Sequence, residues 1–323
     1  MKNPIPMTLT RRGLGGLAAG VGVALALSAC GGSPLATPST SAPGGSLGGG
    51  SAGGGSLVVG SADFPESQVI AEIYVGALNA AGLTATSKPN IGSREIYFKA
   101  VQDGSIDLVP DYSGNLLSYV DTEATQVSAE DVYKALPGKL PDGLAVLEPA
   151  KAESKDAMVV TKATAEKYQL KSIEDLAKVC KDFTMAAPAT FETRAYGFPG
   201  LKANYGCELK GLQPFNDGGG NLTLQALLED KVQVADIYTT TPSIADNDLV
   251  VLEDPKNNFK AQQVLPLYSE AKMTDKAKEA LNNVSKILTT EDLINLNRAV
   301  SGDQKQAPKD AAAAWLKDKG IVK

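Results

Sequence analysis

The chain has 323 residues and not one histidine. That absence excludes Ser-His-Asp and Cys-His nucleophile activation, histidine-ligated zinc, and any general base with the imidazole pKa. Cysteine is almost absent too. Its three residues fit no redox CxxC spacing and leave a metal site without partners. An excess of basic charge is also missing. With 31 basic and 37 acidic side chains the net charge is −6, so nothing points to a nucleic-acid partner. What the chain does have is length and 43% hydrophobic residues, enough for one large domain or two lobes with separate cores.

Charge is unevenly placed along this length. Residues 1–56 hold Lys2, Arg11 and Arg12 and no acid, leaving 28 basic against 37 acidic side chains, net −9, for the rest. After the basic residues come 17 uncharged residues, Gly13 to Ala29, and Leu27-Ser28-Ala29-Cys30 supplies small residues ahead of a cysteine. A positive start, a short apolar run and a small-residue site describe an export signal over residues 1–29. As a transmembrane span the run is short and weakened by Gly13, Gly15, Gly16, Gly20 and Gly22. The Leu-Ser-Ala-Cys ending resembles the lipobox of bacterial lipoproteins, which implies that Cys30 is acylated and becomes the mature N-terminus. Thr10-Arg11-Arg12 resembles a twin-arginine signal, so Sec and Tat export both stay open. Residues 31–56 contain 10 Gly and 6 Ser with no charge and no aromatic. Such a segment cannot bury enough apolar surface to offset its ordering entropy. Residues 30–56 therefore read as a lipidated, flexible tether with a reach of roughly 25–30 Å, suited to the outer face of a membrane. The two remaining cysteines, Cys180 and Cys207, lie 27 residues apart. In an exported chain a bridge between them would contribute roughly 3 kcal/mol, and two buried free thiols are the alternative.

From residue 57 onward short β-branched runs alternate with helical spacing. Strands are expected at 57–60, 85–87, 106–109, 156–160, 183–187 and 232–238. Helices are expected at 68–81, 96–102, 168–178, 224–230, 277–288, 291–300 and 311–319. The alternation predicts an α/β fold with largely parallel sheets. One internal echo stands out. Residues 100–113 (AVQDGSIDLVPDYS) and 226–239 (ALLEDKVQVADIYT) align at a constant offset of 126, matching Tyr112 to Tyr238 and Ser113 to Thr239. Each copy runs helix, acidic turn, apolar strand, then tyrosine and hydroxyl at the strand's exit. Ligands of open α/β sheets bind outside the carboxyl ends of strands, so two such units predict two similar lobes around one cleft. Periodicity alone would equally allow both tyrosines to be core residues. Their polar company, Asp111-Tyr112-Ser113-Gly114-Asn115 and Tyr238-Thr239-Thr240-Thr241, favours the cleft.

At these residues the chain resembles the substrate-binding lipoproteins of ABC importers, specifically the OpuAC-like receptors for glycine betaine, choline and carnitine. The resemblance is carried by Val59-Gly60-Ser61-Ala62-Asp63-Phe64-Pro65-Glu66-Ser67, Ile91-Gly92-Ser93-Arg94-Glu95, Asp107 to Gly114, Tyr196-Gly197-Phe198-Pro199-Gly200-Leu201, Val234 to Thr240 and Leu249 to Asp254. It implies a two-lobed periplasmic-binding-protein-like fold of type II, hinged on two crossover strands near 153–159 and 258–265. The lobes would be 57–152 plus 262–323, and 153–261. It further implies capture of a quaternary-ammonium solute without a cofactor by a monomer, served by separately encoded permease and ATPase subunits. A quaternary ammonium cannot donate a hydrogen bond, so aromatic faces are its natural partners, at about 0.5–2 kcal/mol per desolvated ring. Candidate rings are Tyr112, Tyr238, Phe64, Phe191 and Phe198, with Phe64 and Phe198 fitting lobe core equally well. Donors for a ligand carboxylate are Ser61, Ser93, Arg94, Ser113, Thr239 and Thr240. Arg94 and Arg194 fit surface charges or inter-lobe ion pairs as well, and Glu192 fits a counter-charge or a solvated acid. The family often carries an Asn and an aromatic near the first crossover. This chain has Ser154-Lys155-Asp156-Ala157-Met158 there, which makes Lys155 or Asp156 the replacement and leaves ergothioneine, carnitine or a non-quaternary polar solute open. An exported carboxylate-dependent hydrolase is the enzyme alternative. The missing histidine and the lack of a nucleophile-elbow Ser weigh against it.

Overall fold

The computed structural model describes residues 55–302 and 305–323. The leader, Cys30 and the tether up to residue 54 lie outside the described residues, and so do the expectations made for them. The chain opens with β1 (Leu57–Ala62), α1 (Pro65–Ala80), β2 (Ala85–Gly92), α2 (Arg94–Gln102) and β3 (Leu108–Tyr112). After α3 (Ser113–Val120), α4 (Ala129–Ala135) and β4 (Leu144–Val146) it crosses to a second sheet. There it forms β5 (Met158–Val160), α5 (Lys162–Tyr168), α6 (Ile173–Ala177), β6 (Thr184–Ala187), α7 (Phe198–Tyr205) and β7 (Gly211–Pro214). The second run ends with α8 (Asn221–Leu228), β8 (Val234–Asp236), α9 (Ser243–Asp246) and β9 (Val250–Val251). The chain then returns as β10 (Val264–Ser269), followed by α10 (Asp275–Ile287), α11 (Thr290–Ser301) and α12 (Pro308–Asp318).

The strand orders are β2-β1-β3-β10-β4 and β7-β6-β8-β5-β9. Neither sheet is as parallel as the alternating pattern predicts. The returning β10 runs antiparallel to β3 and β4, and β5 runs antiparallel to β8 and β9. Each is a strand laid down where the chain enters from the other sheet. The two crossing stretches touch in an antiparallel bridge between Glu153 and Gln263. Glycine matters at this junction, because a Cβ on Gly114 would sit 2.4 Å from the Ala261 carbonyl oxygen.

Period and caps explain the helices that position the site. In α1, Val69, Ile70, Ile73, Tyr74, Ala77 and Leu78 are buried at helical spacing, Pro65 suits the first turn, and Gly82 at φ +76° follows the stop. Around them pack Leu281, Leu296 and Trp315 from the C-terminal helices. Thr289 and Asp292 form a capping box at the start of α11, satisfying two otherwise orphaned donors. The helix expected over 168–178 forms only as α6, with Tyr168 the last residue of α5. Gln169 adopts φ +56° and ends α5, and Ser172 with Asp175 opens α6 by a second capping box. Cys180 and Cys207 are joined by a disulfide with Cα atoms 5.4 Å apart. No helix among the described residues is long and apolar enough to cross a membrane.

Candidate functional site

Strand exits build the site. Phe64 follows β1 at the N-cap of α1, Tyr112 ends β3 at the N-cap of α3, and Tyr238 lies just past β8. Because β5 is antiparallel to β8, Asp156 ahead of β5 comes beside the exit of β8. These four, with Ser93 and Arg94 from the β2–α2 turn, line one cavity of about 160 Å³. An apolar cavity of roughly 150 Å³ takes up one benzene, so the space suits a small solute. Tyr112 and Tyr238 reach it from different sheets with the Phe64 ring between them. The Phe64 centroid is 6.0 Å from that of Tyr112, tilted by 33°, and 5.4 Å from that of Tyr238, edge-on at 75°. Gly218 is pressed against this cluster at φ +63°; a Cβ there would lie 3.0 Å from Phe64 Cβ and 3.2 Å from Tyr238 Cε2.

A buried carboxylate supports the rings from behind. Glu66 Oε1 accepts from the Tyr112 hydroxyl at 2.7 Å, and Oε2 accepts from the Thr240 hydroxyl at 2.5 Å and Asn297 Nδ2 at 2.6 Å. Thr240 also shares a 2.8 Å hydrogen bond with the Ser154 hydroxyl. One carboxylate therefore joins α1, β3 and α11 of the first sheet's side to the exit of β8. Burial, and then the Glu66 charge, pushes the Tyr112 phenol far above its usual range, so it stays a neutral donor. Burial followed by Asp156 and Asp236 does the same to Tyr238.

The cationic groups at the cavity are paired. Arg94 donates to Asp111 at 2.6 Å, both being buried. Arg194 reaches across from the second sheet's side to Glu95, at 3.2 and 3.3 Å, and donates to the Tyr196 hydroxyl at 2.9 Å. Burial alone would raise the Glu95 carboxyl, but the hydrogen bonds and charge of Arg194 outweigh it and hold the pKa at about 2. Two carboxyls face the cavity without an ion pair among the described residues. Asp63 is half-buried and pushed above the usual carboxylate range by loss of water. Asp156 is buried and accepts from Asn115 Nδ2 at 2.6 Å.

Seven of the expected ligand residues lie off the cavity. Phe191 is buried in the second sheet's core against Tyr196, Phe198 and Phe259, and Phe198 packs on the same core. Glu192 is exposed at the surface. Ser61 is fully buried, donating to the Ala62 carbonyl and accepting from Asn90 N–H. The Ser113 hydroxyl serves the crossing strand through the Ala261 carbonyl and Gln263 N–H. Thr239 accepts from Lys155 N–H, and Thr240 belongs to the Glu66 network. The hydroxyls of Ser61, Ser113 and Thr239 are thus taken up by backbone groups, and that of Thr240 by a side-chain network. Conversely Tyr97, Asn115 and Thr190 line the cavity although sequence reasoning passed them over. Tyr97 has a signal in hindsight, one helical turn beyond Arg94 on α2 with its ring 5.9 Å from the guanidinium carbon.

The sequence pattern of the OpuAC family, described as the substrate binding domain of ABC-type glycine betaine transport systems, matches residues 55–318. The chain belongs to this family. Among OpuAC relatives, the glycine betaine-binding protein YehZ of Escherichia coli is 28% identical over 279 residues, 82% of this chain and 91% of that protein. The carnitine transport binding protein OpuCC of Listeria monocytogenes is 26% identical, covering 80% of this chain and 85% of its own length. A solved structure of a glycine betaine/carnitine/choline ABC transporter protein superposes with a TM-score of 0.64 at 25% identity, covering 82% of this chain and 99% of the other. The OpuAC fold is the two-lobed, type II periplasmic-binding-protein arrangement, and these relatives are transport binding proteins. The chain is a solute-binding receptor of an ABC transport system.

Proposed function

We propose that this receptor captures a small quaternary-ammonium compatible solute, of the glycine betaine, choline or carnitine class, and delivers it to a separately encoded permease and ATPase. The observation that carries the reading is the cluster of Phe64, Tyr112 and Tyr238 around a cavity of about 160 Å³. The electron-rich faces of aromatic rings attract a cation that has no hydrogen to donate. Asp63 and Asp156 add negative charge beside them, while Arg94, Arg194, Ser93 and Thr190 supply donors for a solute that also bears a carboxylate.

The wider reading follows from this role. Residues 57–152 with 262–323 form one lobe and 153–261 the other, closing by a hinge at the two crossings. The protein acts as a monomer without catalysis, exported by its leader, anchored through acylated Cys30, and carrying the Cys180–Cys207 bridge in an oxidising compartment. Titration calorimetry of the purified chain against glycine betaine, choline, carnitine, ergothioneine, amino acids and sugars tests the ligand class. Binding of at least one small quaternary ammonium compound is expected. A protein that bound only ergothioneine would move the reading to a larger betaine, and one that bound only sugars would overturn it.

A further inference from the structure

Period-two alternation sorts the ladder between β5 and β8 into two faces. Met158 is opposite Asp236, and backbone N–H groups of Ile237 and Thr239 donate to the carbonyls of Ala157 and Lys155. Ala157, Val159, Ala235 and Ile237 point into one apolar cluster. Asp156, Asp236 and Tyr238 therefore share the opposite face, the one that carries Tyr238 and Asp156 to the cavity. Asp156 and Asp236 are 4% and 1% exposed, and neither is in an ion pair among the described residues. Asp236 lies next to Asp156 on this face, and its Oδ1 meets no donor. Two buried carboxyls side by side cannot both be ionised without a cation.

Resting on the quaternary-ammonium reading, we propose that Asp156 and Asp236 act as one unit, a carboxyl pair that shares a single proton and turns one negative charge to the cationic headgroup of the solute, so that capture expels this proton to solvent. The cation supplies the counter-charge the pair lacks, which lets Asp236 give up its hydrogen to bulk buffer.

The neighbours leave the titration to this pair. Tyr196 and Tyr238 face it as phenols pushed above their usual range by burial first, and Arg194 and Arg94 are committed to Glu95 and Asp111. Burial, then the adjacent Asp156, pushes Asp236 far above the ordinary carboxylate range. On the cavity's other side Asp63 is also raised, and Glu66 is engaged by three donors.

The test is calorimetry on the purified full chain with choline and with its neutral isostere, in which carbon replaces nitrogen, between about pH 5 and about pH 8 in buffers of different ionisation heat. Wild type is expected to release a fraction of a proton per choline bound, with affinity rising with pH, while the isostere shows neither effect. Asp156→Asn should lower the choline-to-isostere affinity ratio about tenfold. Asp236→Asn, close in shape to the protonated acid, should abolish the proton release. If a variant does not fold, the buffer dependence of wild type decides alone. Choline binding without proton release, or release that survives Asp236→Asn, overturns the pair and leaves the aromatic reading standing. A protein that binds no quaternary ammonium compound overturns that reading and the pair with it.

Discussion

The Tyr112 phenol donates to Glu66 while its ring lines the cavity, so removing the ring and removing the hydroxyl have different consequences. Tyr112→Phe leaves a buried carboxylate oxygen without a donor and should cost about 1–3 kcal/mol of stability by denaturant unfolding, with the ring still present for ligand. Tyr112→Ala and Tyr238→Ala should each weaken solute binding by about 1–3 kcal/mol in calorimetry. Unchanged affinity in both would place the solute elsewhere. Glu95 offers a pH test with a definite sign. Its pKa is depressed from 4.5 to about 2 by Arg194, so its contribution to folding is complete above about pH 4.5 and is lost as pH falls through about 2. Glu95→Gln should remove that acid-limb contribution, seen as a smaller fall of melting temperature between those two pH values than in wild type.

At the scale of elements, the sequence was legible where local chemistry is strong. The spacing of apolar residues in α1, α10, α11 and α12 and the Ser172 cap announced helices that the structure contains, with the Tyr168–Lys178 stretch shortened to α6 because nothing about Gln169 signals a left-handed residue. Strand β10 escaped notice because Val264–Ser269 holds Pro266 and gains its place only by lying between β3 and β4. The same division runs through the site. Tyr112 and Tyr238 could be paired from the internal echo, whereas Tyr97 and Asn115 reach the cavity only through the docking of α2 and α3. Phe191 misled because an aromatic beside a loop motif says nothing of which way its turn faces. The bridge between Cys180 and Cys207 closes a separation of 27 residues holding β6 and α7. Cys180→Ser with Cys207→Ser should lower unfolding free energy by roughly 3 kcal/mol. Peptide mapping without reductant should recover one linked peptide from the native chain, and two thiol peptides would refute the bridge.

For the whole molecule, the question is what holds the two sheets' sides together. Four links among the described residues are the edge-on contact of Phe64 with Tyr238, the Glu66–Thr240 hydrogen bond, and the ion pairs of Glu95 with Arg194 and of Asp246 with Arg298. The last pair is about half exposed on both partners, at 2.7 Å, and such pairs contribute 0–1 kcal/mol. Arg298→Ala should therefore weaken binding by no more than about fivefold, without touching the cavity. Glu66→Gln should weaken it more, because the amide turns a donor toward hydroxyls that already donate. Equal effects of the two changes would show that the buried network contributes no more than an exposed ion pair.

The Glu66 carboxylate binds the hydroxyls of Tyr112 and Thr240 at once, one belonging to a wall of the cavity and the other to the opposite side of the seam. A misfitting guest that shoves the wall aside must also loosen the seam. A clash at this one wall should therefore be felt on both sides of the cavity, seen as weaker binding of bulkier solutes in calorimetry.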